Sequence, residues 1–164
     1  MGLEIKNILV AKDLSKESSH VIRYALELGC KFHAQVHVLH IMPTVDPAVL
    51  NMVALSMGAD KLAKLNATNE SDLAVQTREQ LHKIILEETE LMEEEIIHPP
   101  KVQVHHGEPV PMILTVADRL DADLIVLGSH SKGRLHYAFL GSVAEKILRK
   151  SHRAVIIVPP PKAG

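Results

Sequence analysis

The sequence predicts a doubly wound α/β domain, and three observations lead to this prediction. Short apolar runs rich in β-branched residues recur along the chain, each of strand length. These runs lack strict alternation of apolar and polar residues, which is typical of strands covered on both faces, as in parallel sheets. Segments with helical periodicity lie between the runs, and strands that alternate with helices favour a parallel sheet with right-handed crossovers.

Five segments are predicted to form the strands. The strongest are four apolar runs: Asn7–Ala11, Ala34–Ile41, Leu124–Leu127 and Ala154–Val158. Lys101–His106 is a weaker fifth.

Three amphipathic segments are predicted as helices between these strands. Ser15 is a candidate N-cap for a helix to about Phe32. Its apolar positions fall on one broad face: Val21, Ile22, Ala25, Leu26, Leu28 and Gly29. A second helix is expected over Glu108–Leu120. Ser142 and Glu145 match a capping box for the last helix, from Val143 to about Lys150.

The connection Met42–Pro100 is longer than one crossover requires, so we expect an extended helical connection there. Asp46 and Pro47 supply an N-cap and a proline at the first helical position. The expected helices run from there to about Leu65 and, after a break at Asn66–Ser71, to about Ile97. The acidic cluster between Glu87 and Glu95 is expected to be a solvated helix face.

Length and composition favour one folded domain over residues 1–160 with a loose tail at 161–164. The 164 residues are 46% apolar and 23% charged, with a formal net charge of -2. This balance gives no reason to expect nucleic acid or an acidic membrane as partner. With no Trp, two Phe and two Tyr, stacking platforms for single-stranded nucleic acid are scarce. The single cysteine, Cys30, excludes an intrachain disulfide and suits a reducing compartment, so a cytoplasmic location is expected.

The most informative stretch follows the fourth strand. It reads Gly128-Ser-His-Ser131-Lys-Gly133-Arg134, and Leu140-Gly141-Ser142 then leads into the last helix. A strand, a glycine-bearing loop and a helix N-terminus form the arrangement that holds phosphate, because backbone N–H groups and the helix dipole attract negative charge. The spacing is neither the Walker A pattern nor the dinucleotide-binding fingerprint.

Across nearly its whole length the chain resembles the universal stress protein family. The resemblance is carried by Asn7-Ile-Leu-Val with Asp13 beyond it, and by Val38-Leu-His40-Ile41. It continues through Gly107-Glu-Pro109, Ala122-Asp-Leu-Ile-Val-Leu-Gly128, Leu140-Gly-Ser-Val-Ala-Glu-Lys-Ile-Leu-Arg149 and Val155-Ile-Ile-Val-Pro159. It implies a five-stranded parallel sheet in the order 3-2-1-4-5. It also implies a homodimer that pairs through Ala154–Val158.

Family members that bind ATP carry Gly-x2-Gly-x9-Gly-Ser/Thr after strand four. Here the frame is Gly128-x2-Ser131-x9-Gly141-Ser142, so the spacing is kept while the second glycine is Ser131. If that position requires a positive φ, serine costs on the order of 1 kcal/mol, or about fivefold in affinity. If the glycine makes room for phosphate, the added Cβ blocks the site.

The resemblance assigns the expected ligand contacts. Asp13 contacts the adenosine part, and the backbone of Ile41 flanks the adenine. Gly128 and Gly141 let the backbone approach the phosphates, while Ser142 adds a hydroxyl and a helix-terminal N–H. The remaining candidate contacts are Ala11, Lys12, Ser129, His130, Ser131, Gly133, Arg134 and Val143.

For several of these residues a structural role is the alternative. Asp13 can close a turn before the first helix. Lys12, in a pair Ala11-Lys12 where the family often has Pro-Thr, can approach a phosphate or point to solvent, and solvent is favoured. For His130 and Arg134 solvent exposure is the simpler expectation.

The eleven histidines do not predict a metal site. His37 and His40 lie three residues apart on a strand and therefore point to opposite faces. His105 and His106 do the same, and no His-Glu-x-x-His pattern is present. Cys30 is expected to be a small core residue.

The leading functional prediction is a homodimeric stress-response regulator that binds ATP or a related adenine nucleotide between strands one and four, with Mg²⁺ left open. Ligands of open α/β sheets bind where the strand order reverses, beyond the carboxyl ends of the strands. The alternative is a dimeric interaction module whose cleft is closed by Ser131, with an unidentified protein partner. An ATP-hydrolysing enzyme ranks third, because no pair of catalytic groups flanks the loop.

Overall fold

The computed structural model describes residues 2–15, 18–44, 46–129 and 140–161, with the side chains of 65–71 left out. Its strands are β1 (Asn7–Ala11), β2 (Gln35–Met42), β3 (Lys101–His106), β4 (Leu124–Gly128) and β5 (Ala154–Val158). Its helices are α1 (Ser19–Phe32), α2 (Pro47–Met57), α3 (Ala59–Glu90), α4 (Pro109–Leu120) and α5 (Ser142–Lys150).

The strands form one parallel sheet in the order β3-β2-β1-β4-β5. This confirms the predicted fold and strand order. The chain moves from β1 toward β2 and β3, and later returns to the other side of β1 for β4 and β5. The order therefore reverses between β1 and β4, which leaves a crevice beyond their carboxyl ends.

Two hydrophobic cores cover the sheet, one on each face. The first joins the sheet to α1 and α3 through Ile8, Val10, Val21, Ile22, Leu26, Val36, Val38, Leu81 and Ile85. The second joins it to α4 and α5 through Leu9, Leu39, Ile113, Val116, Ile125, Leu127 and Ile147. Successive residues of β1 enter opposite cores, as the two-residue period of a strand requires. Gly29 permits close packing of α1 on β2, because a Cβ there would lie 2.5 Å from Val36 Cγ2.

The predicted start of α1 was wrong. Ser15 does not cap the helix, which begins at Ser19 after the N-cap position Ser18, and no side chain caps it. The backbone N–H and hydroxyl of Ser15 instead both donate to Asp13 Oδ1, at 2.9 and 2.5 Å. The carboxylate of Asp13 thus closes a turn before the helix, which is the structural alternative given for this residue.

The predicted capping box of α5 was also wrong. The helix begins one residue earlier than expected, at Ser142, so Gly141 is the N-cap residue and no side chain caps the helix. Glu145 instead pairs with Arg149 one turn later, at 2.8 Å.

The helical connection was predicted, but both its internal boundary and its end near Ile97 were misplaced. Asp46 is the N-cap of α2, and its carboxylate accepts from the Ala48 N–H at 2.8 Å, as expected. The break falls at Gly58, whose φ of 90° strongly favours glycine, and α3 runs continuously to Glu90. Good helix formers and burial further along α3 therefore outweigh the weak propensities of 66–71.

Two expectations about side chains also need correction. Glu88 belongs to the acidic cluster expected in solvent, yet it is 7% exposed and pairs with Arg23 of α1 at 3.5 Å. Cys30 is only half-buried, and its thiol contacts the Glu95 carbonyl at 3.6 Å. Among the described residues, no helix combines the length and apolar character needed to cross a membrane.

Candidate functional site

A cavity of about 200 Å³ lies at the carboxyl ends of β1, β2 and β4. It is lined by Ala11, Lys12, Asp13, Ser18, Val21, Leu39, His40, Ile41, Pro109, Ile113, Leu127, Gly128, Ser129, Gly141, Val143 and Ala144. It therefore occupies the crevice where the strand order reverses. The loop after β1 and the start of α5 meet there although they lie more than 120 residues apart in the chain.

The start of α5 forms one wall of the cavity. Two hydrogen bonds connect the start of this helix to the sheet. The Gly141 N–H donates to the Ser129 carbonyl at 2.7 Å, and the Ser129 N–H donates to the Val158 carbonyl at 3.1 Å. Val143 and Ala144 of the first turn line the cavity. The N–H groups of a first helical turn have no partner within the helix and carry the positive end of its dipole. This wall therefore suits an anion.

Gly128 and Gly141 are not explained by backbone conformation. Gly141 has φ -60° and ψ 151°, which any residue adopts, and Gly128 does not have a positive φ. Because both residues line the cavity, the absence of a side chain at each gives a ligand access to the backbone.

Asp13 has a local role and an incompletely satisfied carboxylate. Its Oδ1 atom accepts from the Ser15 N–H, from the Ser15 hydroxyl and from the Ser18 hydroxyl at 2.8 Å. Its Oδ2 atom is buried and has no hydrogen-bond partner among the described residues. A buried acceptor without a donor costs free energy, which a hydrogen-bonding ligand in this cavity would recover.

Lys12 does not point to solvent, contrary to the prediction. Its side chain is 1% exposed. The ammonium donates to the carbonyls of Asp13 and Ser15, at 2.8 and 2.6 Å. Burial lowers the pKa of Lys12, while the negative charges of Asp13 and Glu88 oppose that shift. The lysine thus lies inside the loop instead of extending from it.

His40 was not among the predicted site residues, but it lines the cavity. Its Nδ1 donates to the Lys12 carbonyl at 2.9 Å, because a carbonyl oxygen only accepts. In the neutral ring Nε2 is then an acceptor. The Lys12 N–H also donates to the Leu39 carbonyl at 3.0 Å, so the loop is attached to β2 at two points.

Much of the apolar wall of the cavity was missing from the predicted site. Leu39, Ile113 and Leu127 belong to the core between the sheet and α4 and α5, and their edges face the cavity. Pro109 brings the start of α4 to the same place. Leu39 and Leu127 lie in apolar runs that were predicted as strands, but only the packing of α4 shows that they also form the cavity.

The structure brings together eight of the predicted residues: Ala11, Lys12, Asp13, Ile41, Gly128, Ser129, Gly141 and Val143. Ser142 is exposed and does not line the cavity. His130, Ser131, Gly133 and Arg134 lie outside the described residues, so their predicted contacts stay predictions. Within the described ranges, no three His, Cys, Asp or Glu side chains are placed to hold a metal ion.

Comparison with known proteins agrees with this architecture. The family model described as "Universal stress protein family" matches residues 4–159. Universal stress protein Sll1388 of Synechocystis sp. is 31% identical over 153 residues, covering 92% of this chain and 96% of the relative. Universal stress protein MJ0577 of Methanocaldococcus jannaschii is 25% identical over 158 residues, covering 96% of this chain and 97% of the relative.

Solved structures share the fold. The structure of MJ0577 aligns with a TM-score of 0.70 at 21% identity, covering 98% of this chain and 100% of that one. A universal stress protein in complex with cAMP aligns with a TM-score of 0.60 at 18% identity, covering 95% and 98% of the two chains. The universal stress protein of Archaeoglobus fulgidus in complex with dAMP gives 0.55 at 23% identity, covering 94% and 98%. The chain belongs to the universal stress protein family.

Proposed function

We propose that this protein is a stress-response regulator that binds ATP or a related adenine nucleotide in the cavity between β1 and β4. One observation carries the proposal. The cavity combines the Oδ2 atom of Asp13, which has no hydrogen-bond partner in the described part of the chain, with an apolar wall and the N-terminus of α5. These features match the hydroxyls, the base and the phosphates of a nucleotide.

Size and charge suggest how the nucleotide lies. A cavity of about 200 Å³ is smaller than the roughly 300–1,000 Å³ of typical small-molecule sites, so it suits the nucleoside part. Asp13 accepts from a ribose hydroxyl, and the adenine lies against Leu39, Ile41 and Ile113. The phosphates extend toward the first turn of α5, where backbone N–H groups and the helix dipole favour negative charge. The complexes of two family members with cAMP and dAMP support an adenine nucleotide as the ligand class.

A regulatory role is favoured over an enzymatic one. Among the described residues that line the cavity, Lys12, Asp13 and His40 carry groups suited to proton transfer. The ammonium of Lys12 bonds two loop carbonyls, and the imidazole of His40 bonds the Lys12 carbonyl. The carboxylate of Asp13 accepts from the hydroxyls of Ser15 and Ser18, but His40 forms no nucleophile–base pair with either serine. Mg²⁺ would accompany the phosphates of ATP.

Dimerisation through β5 is part of the proposal. β5 is an edge strand of sequence Ala-Val-Ile-Ile-Val, and Val155, Ile156 and Ile157 are only half-buried. An apolar edge strand offers unpaired backbone groups to a second copy. Sizing with light scattering should give twice the 18.1 kDa chain mass at micromolar concentration. A monodisperse monomer would contradict this part of the proposal.

The test of nucleotide binding is calorimetric titration of nucleotide-stripped protein with MgATP and with AMP. We expect saturable binding near one site per chain. Asp13→Asn removes a charged acceptor and should weaken binding about tenfold or more. Asp60→Asn, in the exposed first turn of α3, is the matched control and should bind like wild type.

Ser131→Gly separates this proposal from the second candidate, a dimeric interaction module. Ser131 replaces the motif glycine, and this observation favours a closed cleft. If wild type does not bind and Ser131→Gly does, one side chain closes the site. If neither protein binds, the interaction module is the better description.

A further inference from the structure

Lys12 lies at the centre of the loop that carries Asp13 into the cavity. Its backbone is attached to β2 by the Lys12 N–H bond to the Leu39 carbonyl and by the His40 bond to the Lys12 carbonyl. Its side chain then folds back so that the ammonium bonds the carbonyls of Asp13 and Ser15. The backbone of residues 12–15 therefore surrounds the ammonium group of Lys12.

The arrangement fixes the direction of the Asp13 side chain. The ammonium holds the backbone on both sides of residue 14. The Ser15 N–H and the hydroxyls of Ser15 and Ser18 hold Oδ1. With Oδ1 fully engaged and the backbone fixed, Oδ2 is the carboxylate atom left without a donor among the described residues.

The charge of Lys12 is balanced from inside the protein. Asp13 Oδ1 lies 3.9 Å from the ammonium. Glu88 of α3, whose side chain is 9% exposed and pairs with Arg23, adds a second negative charge nearby. A buried ammonium without such partners would be strongly unfavourable. With these negative charges nearby, the ammonium of Lys12 can act as a fixed cross-link between the carbonyls of Asp13 and Ser15.

We propose that Lys12 is a positioning residue of the nucleotide site: its buried ammonium organises loop 12–15 and thereby presents Asp13 Oδ2 to the ligand. Lys12 does not contact the phosphates, because its ammonium is directed into the loop. The binding part of this inference rests on the proposed function, whereas the ordering of the loop does not.

The first experiment needs no ligand. Lys12→Met removes the ammonium and keeps an unbranched chain, so the two carbonyls lose their donor. The exchange of the Ser15 amide, measured by NMR, should become at least about tenfold faster, because that amide donates to Asp13 Oδ1. Lys6→Met is the matched control, since the Lys6 side chain is 69% exposed, and it should leave this exchange rate unchanged. An unchanged rate in Lys12→Met would overturn the proposal.

The second experiment is a double-mutant cycle on nucleotide affinity. Asp13→Asn should weaken binding about tenfold in wild type but less than about twofold in Lys12→Met, because Asp13 is no longer held in place. Equal losses in both backgrounds would show that Lys12 does not act through Asp13. Lys12→Leu, which also removes the donor, replaces Lys12→Met with the same expected losses if the latter does not fold.

The two proposals fail in different ways. If wild type binds no adenine nucleotide, the proposed function is wrong, and the Ser15 exchange rate still decides the role of Lys12. If wild type binds and the cycle is additive, the function stands and the positioning role is wrong.

Discussion

Helices α1 and α2 both begin beyond the carboxyl ends of neighbouring strands, yet they differ completely in burial. In α1 five residues are buried, and the charged residues Arg23, Glu27 and Lys31 lie at other positions. In α2 no residue is buried and none is charged, and Val49, Met52 and Leu55 are at least half exposed. The more apolar helix is therefore the more exposed one. Burial depends on whether the apolar positions share one face that matches the sheet, and only α1 meets this condition.

The sharpest test of this contrast is one large-to-small substitution in each helix. Ile22 is 0% exposed in the core between α1, α3 and the sheet, whereas Leu55 of α2 is 88% exposed. Ile22→Ala should lower the free energy of unfolding by about 2–5 kcal/mol, because it leaves a cavity. Leu55→Ala should change it by no more than about 0.5 kcal/mol. Urea titrations with equal m-values measure both effects.

A large loss for Leu55→Ala would mean that α2 is covered in solution. A small loss for Ile22→Ala would mean that α1 is not packed as described. Either result would remove the contrast between the two helices.

A second test compares a buried histidine of the sheet with an exposed one. His37 on β2 is 5% exposed, and its Nε2 donates to Asn7 Oδ1 at 3.2 Å. Its Nδ1 is buried without a partner among the described residues. Burial, with a smaller effect from Lys101, lowers the pKa of His37 from the ordinary value of 6.5. The folded protein therefore resists protonation of this ring more than the unfolded chain does.

The sign of the pH dependence follows from this difference. Below about pH 6.5 the unfolded chain binds a proton that the folded chain does not, so the free energy of unfolding falls as pH drops through that range. Replacing His37 with Gln should reduce this dependence, and replacing the exposed His152 with Gln should not. Burial and, to a smaller degree, Arg119 also lower the pKa of His105, so part of the pH dependence should remain in the His37→Gln protein. The measurement is the urea midpoint at pH 5 to 8 for wild type and for the His37 and His152 variants. The same slope of midpoint against pH in all three proteins would contradict the prediction.

Short-range features of this molecule could be predicted from the sequence, whereas features that depend on packing could not. The strands follow from apolar runs, and the Asp46 cap follows from two adjacent residues. The burial of Lys12 was missed because it depends on how the folded loop encloses the ammonium and on the packing of α3, which brings Glu88 near it. The helix break was expected at 66–71, where helix propensities are weak, but it lies at Gly58. Which of the two positions interrupts the helix depends on the packing of α3, and the sequence does not show that packing.

The smallest expected effect concerns the N-cap of α2. Asp46→Ala removes the acceptor of the Ala48 N–H and should destabilise this helix by about 0.5–2 kcal/mol. Because α2 buries no residue, that loss should remain local. Amide exchange within 47–57 should become faster while the urea midpoint of the whole chain hardly moves. Ser56→Ala is the matched control, since its hydroxyl donates to the Val53 carbonyl within the same helix and caps nothing. A clear shift of the midpoint in Asp46→Ala would show that α2 unfolds together with the core and that its exposed apolar residues contribute to the same cooperative unit as α1.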